Sequence, residues 1–120
     1  MSIRPLFAAV AVLALAGCAT DPAPIEQMRL TEQAITQAKA VGATADDVPE
    51  MKLAETKYNR AKGSMADESY RNARMRAEQA ELDARLAEAK VLTKKSEEQL
   101  NVLNTRIVRL RKQLQLGEAQ

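Results

Sequence analysis

Apolar positions recur at three- and four-residue spacing along most of the chain, the signature of amphipathic helices. Between Ile25 and about Val41 the apolar positions are Ile25, Met28, Ile35 and Ala38, flanked by Leu30, Ala34 and Val41, and Gly42 offers a C-terminal stop. Asp47-Val48-Pro49-Glu50 predicts the start of a second helix, with Asp47 as N-cap, Pro49 harmless in the first turn and Glu50 three places on. Its stripe is Met51, Ala54, Tyr58, Ala61 and Met65. At Gly63-Ser64 helix propensity drops by about 1 kcal/mol, which leaves a turn, a kink or an uninterrupted run open there. Asp67 is the candidate cap of a third helix that meets no Pro or Gly before Gly117. That segment, about 49 residues long, would reach roughly 75 Å unbroken. The first two helices can cover only its N-terminal part, where Ala73, Ala77, Ala80, Ala84 and Ala87 supply a small-residue face for close helix approach. The rest must project or find a partner.

Read backwards from Leu114, the long segment shows Leu114, Leu110, Ile107, Leu103, Leu100, Ser96, Thr93, Ala89, Leu86 and Leu82, an unbroken alternation of four and three. This is a coiled-coil seam. With Leu82 at d, the a positions are Leu86, Thr93, Leu100, Ile107 and Leu114, and Thr93 and Ser96 weaken the middle. They predict either a register marker or the place where packing within the chain hands over to another contact. In a parallel homodimer Arg85 would face Lys90 and Arg106 would face Arg111, like-charged pairs that each cost a few tenths of a kcal/mol. A self-packed hairpin, an antiparallel pair or an acidic partner is therefore favoured over a parallel homodimer. The candidate partner-binding residues are Leu100, Leu103, Ile107, Leu110 and Leu114, with Arg106, Arg109, Arg111 and Lys112 supplying electrostatic bias.

Composition narrows the chemistry. The 120 residues include 18 Lys+Arg and 16 Asp+Glu, one Cys, and neither His nor Trp. These absences remove His-based acid-base work, His/Cys metal sites, Ser-His-Asp and Cys-His nucleophile pairs and any disulfide within one chain. Abundant Ala, Leu, Glu, Lys, Arg and Gln favour helix over sheet. Charge is unevenly spread: residues 21–50 hold six acids and two bases, a balance of −4, whereas residues 101–120 stand at +3. The basic end could lie along an anionic polymer over about a Debye length. Nucleic acid is a poor fit, because no aromatic rings stand beside those cations to stack on bases.

Paired carboxylates such as Asp46 with Asp47 and Glu97 with Glu98 are read as solvated charges, since adjacent helical residues point to different faces. Helices this thin leave little concavity for an active site. Lys94-Lys95 and Arg74-Met75-Arg76 are read as solvated faces. Tyr58 and Tyr70 are expected to wedge the turn near Gly63 and plug the hairpin end. No enzyme activity, cofactor, metal or small-molecule substrate is expected.

The first residues, MSIRPLFAAVAVLALAGC, carry a charged head at Arg4 and an apolar run from Leu6 to Ala16. The run is about half the ~20 residues needed to cross a bilayer and ends in small residues, as an export signal does. Leu15-Ala16-Gly17-Cys18 resembles the lipobox of bacterial lipoproteins. The resemblance implies cleavage between Gly17 and Cys18, diacylglycerol on the Cys18 thiol and acylation of the new amine. A Cys bearing three acyl chains is firmly held, since each buried methylene contributes about 0.8 kcal/mol. Because no Asp directly follows Cys18, Ala19-Thr20-Asp21 resembles outer-membrane cargo. The implied location is the periplasmic face of the outer membrane. Asp21-Pro22-Ala23-Pro24 is then an extended spacer. The expected organisation is a signal peptide over 1–17, a lipidated tether over 18–24, a helical domain over 25–116 and a disordered tail over 117–120.

From Ala34 to Ala89, the phrases AVGA at 40–43, AETKYNRAK at 54–62, DESY at 67–70 and AEQAELDARLA at 77–87 resemble a family. It is that of small Gram-negative outer-membrane lipoproteins of unassigned function, whose helical domain also occurs in front of OmpA-like peptidoglycan-binding domains. The likeness implies an all-helical envelope module and supplies no catalytic residue. The chain lacks an OmpA-like domain, so direct peptidoglycan binding is not implied. A second likeness, to the murein lipoprotein, fails at the end: that protein offers a C-terminal Lys for attachment to the wall, whereas this sequence ends Gly117-Glu118-Ala119-Gln120.

The expected fold is all-α, a helical hairpin or three-helix arrangement with a long C-terminal helix of coiled-coil character. The expected role is an outer-membrane-anchored tether or scaffold that reaches into the periplasm and engages an envelope protein, with peptidoglycan and an oligomer as further options. The alternative is an adaptor or regulator of a cell-wall enzyme, acting through the Ala-rich face, or a non-covalent peptidoglycan-associated envelope-integrity factor.

Overall fold

The structure is a computed structural model that describes residues 21–118; the expected cleavage and lipidation residues Gly17 and Cys18 lie outside the described residues. Three helices follow one another: α1 (Ile25–Ala40), α2 (Pro49–Ala66) and α3 (Tyr70–Glu118). The chain is thus all-α over the described residues, in the three-helix form of the two arrangements expected. Helix α2 runs antiparallel to α3, as Lys90 meets Glu50, Lys57 meets Asp83 at 2.6 Å and Arg76 reaches Ser64 Oγ at 3.1 Å. Helix α1 runs parallel to α3, with Gln27 on Glu81 near one end and Lys95 on Val41 at the other.

The core is built almost wholly of alanine. Ala34, Ala38, Ala54, Ala61 and the full set Ala73, Ala77, Ala80, Ala84 and Ala87 are buried, and the largest fully buried side chains are Met51 and Thr31. Small side chains let helices approach closely, so contact between backbones replaces the bulk that a 2% aromatic chain lacks. The Ala stripe of α3 therefore does what its spacing predicts. In α1 the buried set is Thr31, Ala34, Ile35 and Ala38, while Ile25 is exposed. The expected stripe began one turn too early and passed over Thr31 because it is polar.

Both turns close on the same main-chain pattern. After α1, Gly42 N–H donates to Lys39 O and Ala43 N–H to Ala38 O, with Gly42 at φ +98°. After α2, Glu68 N–H donates to Met65 O and Ser69 N–H to Ser64 O, with Glu68 at φ +55°. Each is a Schellman turn, in which the residue past the cap takes a left-handed conformation to satisfy the last carbonyls. Gly42 is the stop its position predicts. At Gly63, of the turn, kink or uninterrupted run that its position allows, the run forms: α2 passes straight through it and ends at Ala66.

Both expected aspartate caps are corrected. Val48 occupies the N-cap of α2, and Asp47 instead exchanges hydrogen bonds with Thr44, accepting from its hydroxyl at 2.7 Å. Asp67 is the C-cap of α2, and Ser69 precedes α3, its carbonyl accepting from Ala73 N–H at 2.9 Å. The expected stop at Gly117 is also not used, because α3 continues to Glu118. No helix among the described residues is long and apolar enough to cross a membrane.

Candidate functional site: the outer face of the long helix

Two stripes run along α3, and their angular offset decides what each can touch. The alanines at 73, 77, 80, 84 and 87 continue through half-buried Val91, after which the same line carries polar and charged side chains, beginning with Lys94 and Glu98. The bundle ends there because its apolar line ends. Lys95 closes it, donating from Nζ to the carbonyl of Val41 at 2.6 Å, where the negative end of the α1 dipole favours a cation. Lys95 is therefore a cap and not the purely solvated charge expected of Lys94-Lys95. Arg76 likewise crosses to Ser64 Oγ and the Arg60 carbonyl, and Arg74 reaches the carbonyl of Pro22.

The leucine seam lies elsewhere. Leu82 and Leu86 each stand two residues beyond a buried alanine, a rotation of about 200° around a helix of 3.6 residues per turn. The seam therefore faces away from α1 and α2 along its whole length. Its large members Leu82, Leu86, Leu100, Leu103, Ile107, Leu110 and Leu114 are between 45% and 71% exposed. From Leu82 to Leu114 the strip is about 48 Å long. Thr93 and Ser96 mark no handover from packing within the chain, since the bundle uses the opposite face from the start. Val102, Val108 and Leu116 are exposed too, off the line of the seam.

The basic residues divide. Arg106 and Arg111 flank the seam, whereas Arg109 and Lys112 fall toward the far side by the same helical geometry. All four are exposed. The seam thus has a charged residue on each edge of its distal half but no concentrated cationic face.

Ion pairs fasten the bundle on its other side. Lys39 meets Glu55 at 2.7 Å between α1 and α2. The Lys90 ammonium, and after it the Glu50 backbone N–H, hold the Glu50 carboxyl below the usual carboxylate range. Glu81 is lowered by Arg85 and then by Gln27, which donates to it at 2.7 Å. Tyr58 is half-buried against the core with Lys62 5.0 Å above its ring, and burial followed by the neighbouring Glu32 pushes its hydroxyl up. It sits between α1 and α2 and not at the hairpin end; Tyr70, the first residue of α3, is the tyrosine at the turn. Among the described residues no three Asp, Glu, Cys or His side chains converge as a metal site would require.

A small alanine-packed bundle extended by a bare amphipathic helix defines an all-α class of fold. Within it, the chain belongs to the family of DUF4398, a domain of unknown function, whose model matches residues 26–103. The chain is similar to a DUF4398 family protein from Pseudomonas aeruginosa PAO1 known from its crystal structure, with 66% identity, a TM-score of 0.75, and coverage of 82% of this chain and 100% of that one. None of the curated proteins matches the chain.

Proposed function

We propose that the protein is an outer-membrane lipoprotein of the periplasm that acts as a non-catalytic tether, anchored through acylated Cys18 and engaging a protein partner through the outer face of α3. The observation that carries this reading is the long, exposed apolar seam turned away from the protein's own core, interrupted only by Ala89, Thr93 and Ser96. Exposed apolar surface of this extent marks an interaction site.

The N-terminal geometry fits an anchor. Pro24 is buried and the Pro22 carbonyl accepts from Arg74 at 3.4 Å, so the spacer is docked from Pro22 onward rather than free over its whole expected length. Four residue steps then separate Cys18 from that contact, a reach of about 14 Å. Acyl chains on Cys18 would hold the Arg74 end of α3 close to the bilayer and place Leu114 up to about 60 Å along the rod. The expected alternative, a regulator of a cell-wall enzyme, would have acted through the Ala-rich face. That face is closed, because Ala77, Ala80 and Ala84 are fully buried against α1 and α2. Any such contact would have to use the seam.

Truncation after Asn101 tests the proposal in cells. Crosslinked partner capture should disappear while the protein still fractionates with membranes, and unaltered capture would refute the role of the distal seam. Cys18→Ser should release the protein from the membrane fraction; retention there would refute the anchor.

A further inference from the structure

The sizes of the side chains along the seam restrict what can cover it. Granting that a helical partner buries this face, we infer that the partner is a second copy of the same chain, laid antiparallel, with Leu82 of each copy against Leu114 of the other.

A parallel pair in register sets every layer against itself. Ala89, Thr93 and Ser96 are consecutive layers, so such a pair would have three layers in a row without one large side chain. Reversing one helix places a positions against d positions. Starting from Leu82 on Leu114, the next layers are Leu86 on Leu110, Ala89 on Ile107, Thr93 on Leu103 and Ser96 on Leu100. Each small or polar residue then meets a large aliphatic one, the alternation that fills an interface without voids. The Ser96 hydroxyl already donates to the Leu92 carbonyl at 2.9 Å, so covering it with Leu100 strands no donor. Sliding the pair by one heptad toward the N-terminus sets Leu114 on Met75 but also Thr93 on Ser96, a layer without one large side chain; sliding it the other way leaves seam positions at both ends unpaired.

Charge points the same way. The parallel arrangement sets Arg85 against Lys90 and Arg106 against Arg111 on both sides of the dimer. The antiparallel one removes both clashes, setting Arg85 beside Gln113, Lys90 beside Asn104 and Arg106 beside Leu92, and only Glu97 beside its own copy near the two-fold axis; Asp83, on the same edge, stays with Lys57 of α2. A strip about 48 Å long and 10–12 Å wide on each copy covers on the order of 1,000 Å² in total, the lower bound for a specific interface. Helix α2 reaches one edge of the seam at Asp83 and Lys90, so the second copy lies beside α2 over that stretch while the a and d positions stay clear. The two docked N-terminal ends then lie about 70 Å apart along one rod. Both anchors reach a single bilayer when the rod lies along its surface.

Spin labelling of the full chain in detergent, with Cys18→Ser and Gln115→Cys so that one thiol remains, reads this arrangement as a distance. The antiparallel register predicts labels about 50 Å apart. A parallel pair predicts less than about 30 Å. Leu103→Glu with Ile107→Glu should abolish the long distance, weakening association at least tenfold, and leave helix content unchanged because both positions are exposed. A short distance, or none at concentrations up to about 0.1 mM, overturns the proposal. If no distance appears while truncation after Asn101 still abolishes capture, the seam binds a different protein and the tether reading stands; a short distance means that two copies pair parallel.

Discussion

The hydroxyl of Thr31, fully buried in the middle of α1, lies 3.0 Å from the carbonyl oxygen of Ala77 on α3 and 2.8 Å from that of Gln27 in its own helix. A side chain can reach the main chain of a neighbouring helix only where the axes lie close, and Ala77 permits it by carrying a single methyl group. This pairing explains how a core with few large residues holds together. Contact is close enough for hydrogen bonding and dispersion to offset the small apolar area each alanine buries.

Ala77→Leu should accordingly be among the most damaging single changes. Three added heavy atoms in a packed helix interface cost about 1–3 kcal/mol or more. Thermal melting followed by circular dichroism should fall by roughly 5–15 °C. Thr31→Val, which keeps the shape and loses the hydroxyl, should cost only about 1 kcal/mol.

Gly63 stands in the interior of α2, exposed, with no neighbouring atom within 4 Å of where a Cβ would be placed. Gly63→Ala should therefore stabilise the fold by about 0.5–1 kcal/mol, read from urea titrations as a higher midpoint with an unchanged slope.

Glu68 takes a left-handed conformation at φ +55°, which costs an L-residue about 1 kcal/mol. Glu68→Gly should raise the melting temperature by a few degrees, the gain reduced by the greater freedom of glycine in the unfolded chain. Glu68→Val, branched at Cβ, should lower it.

Acid should loosen the bundle through Glu50 and Glu81. Both carboxyls sit below their ordinary values in the folded state, so their contribution is complete above the unfolded value of about 4.3 and is lost as pH falls through the folded value. Urea midpoints should thus decline below about pH 4. The Glu50→Gln, Glu81→Gln double variant should be less stable than the parent at neutral pH and show a shallower acid decline.

Several features were legible in the sequence for a physical reason. Burial of Ala73, Ala77, Ala80, Ala84 and Ala87 follows from helical periodicity, and so does the separate line of Leu82 to Leu114, because a helix maps spacing directly onto angle. Gly42 was legible because few other residues accept its φ. The caps were not. Asp47 and Asp67 stand two and three residues before a helix start, but Thr44 captures one and the Schellman turn after α2 consumes the other. Thr31, Lys95 and Tyr58 were misread for a different reason: each owes its place to a partner 46 or more residues away or on another helix.

Local sequence thus determined that the chain forms three helices, where α1 stops, and which residues share a stripe, since these depend on interactions within a few residues. Tertiary structure decided that the bundle uses none of the leucine line from Leu82 onward. Ala packs here because two helices close in on it from either side, and once they do, the larger leucines two positions away are carried to the opposite face. That outcome depends on the joint fit of three helices, which no spacing in one of them encodes.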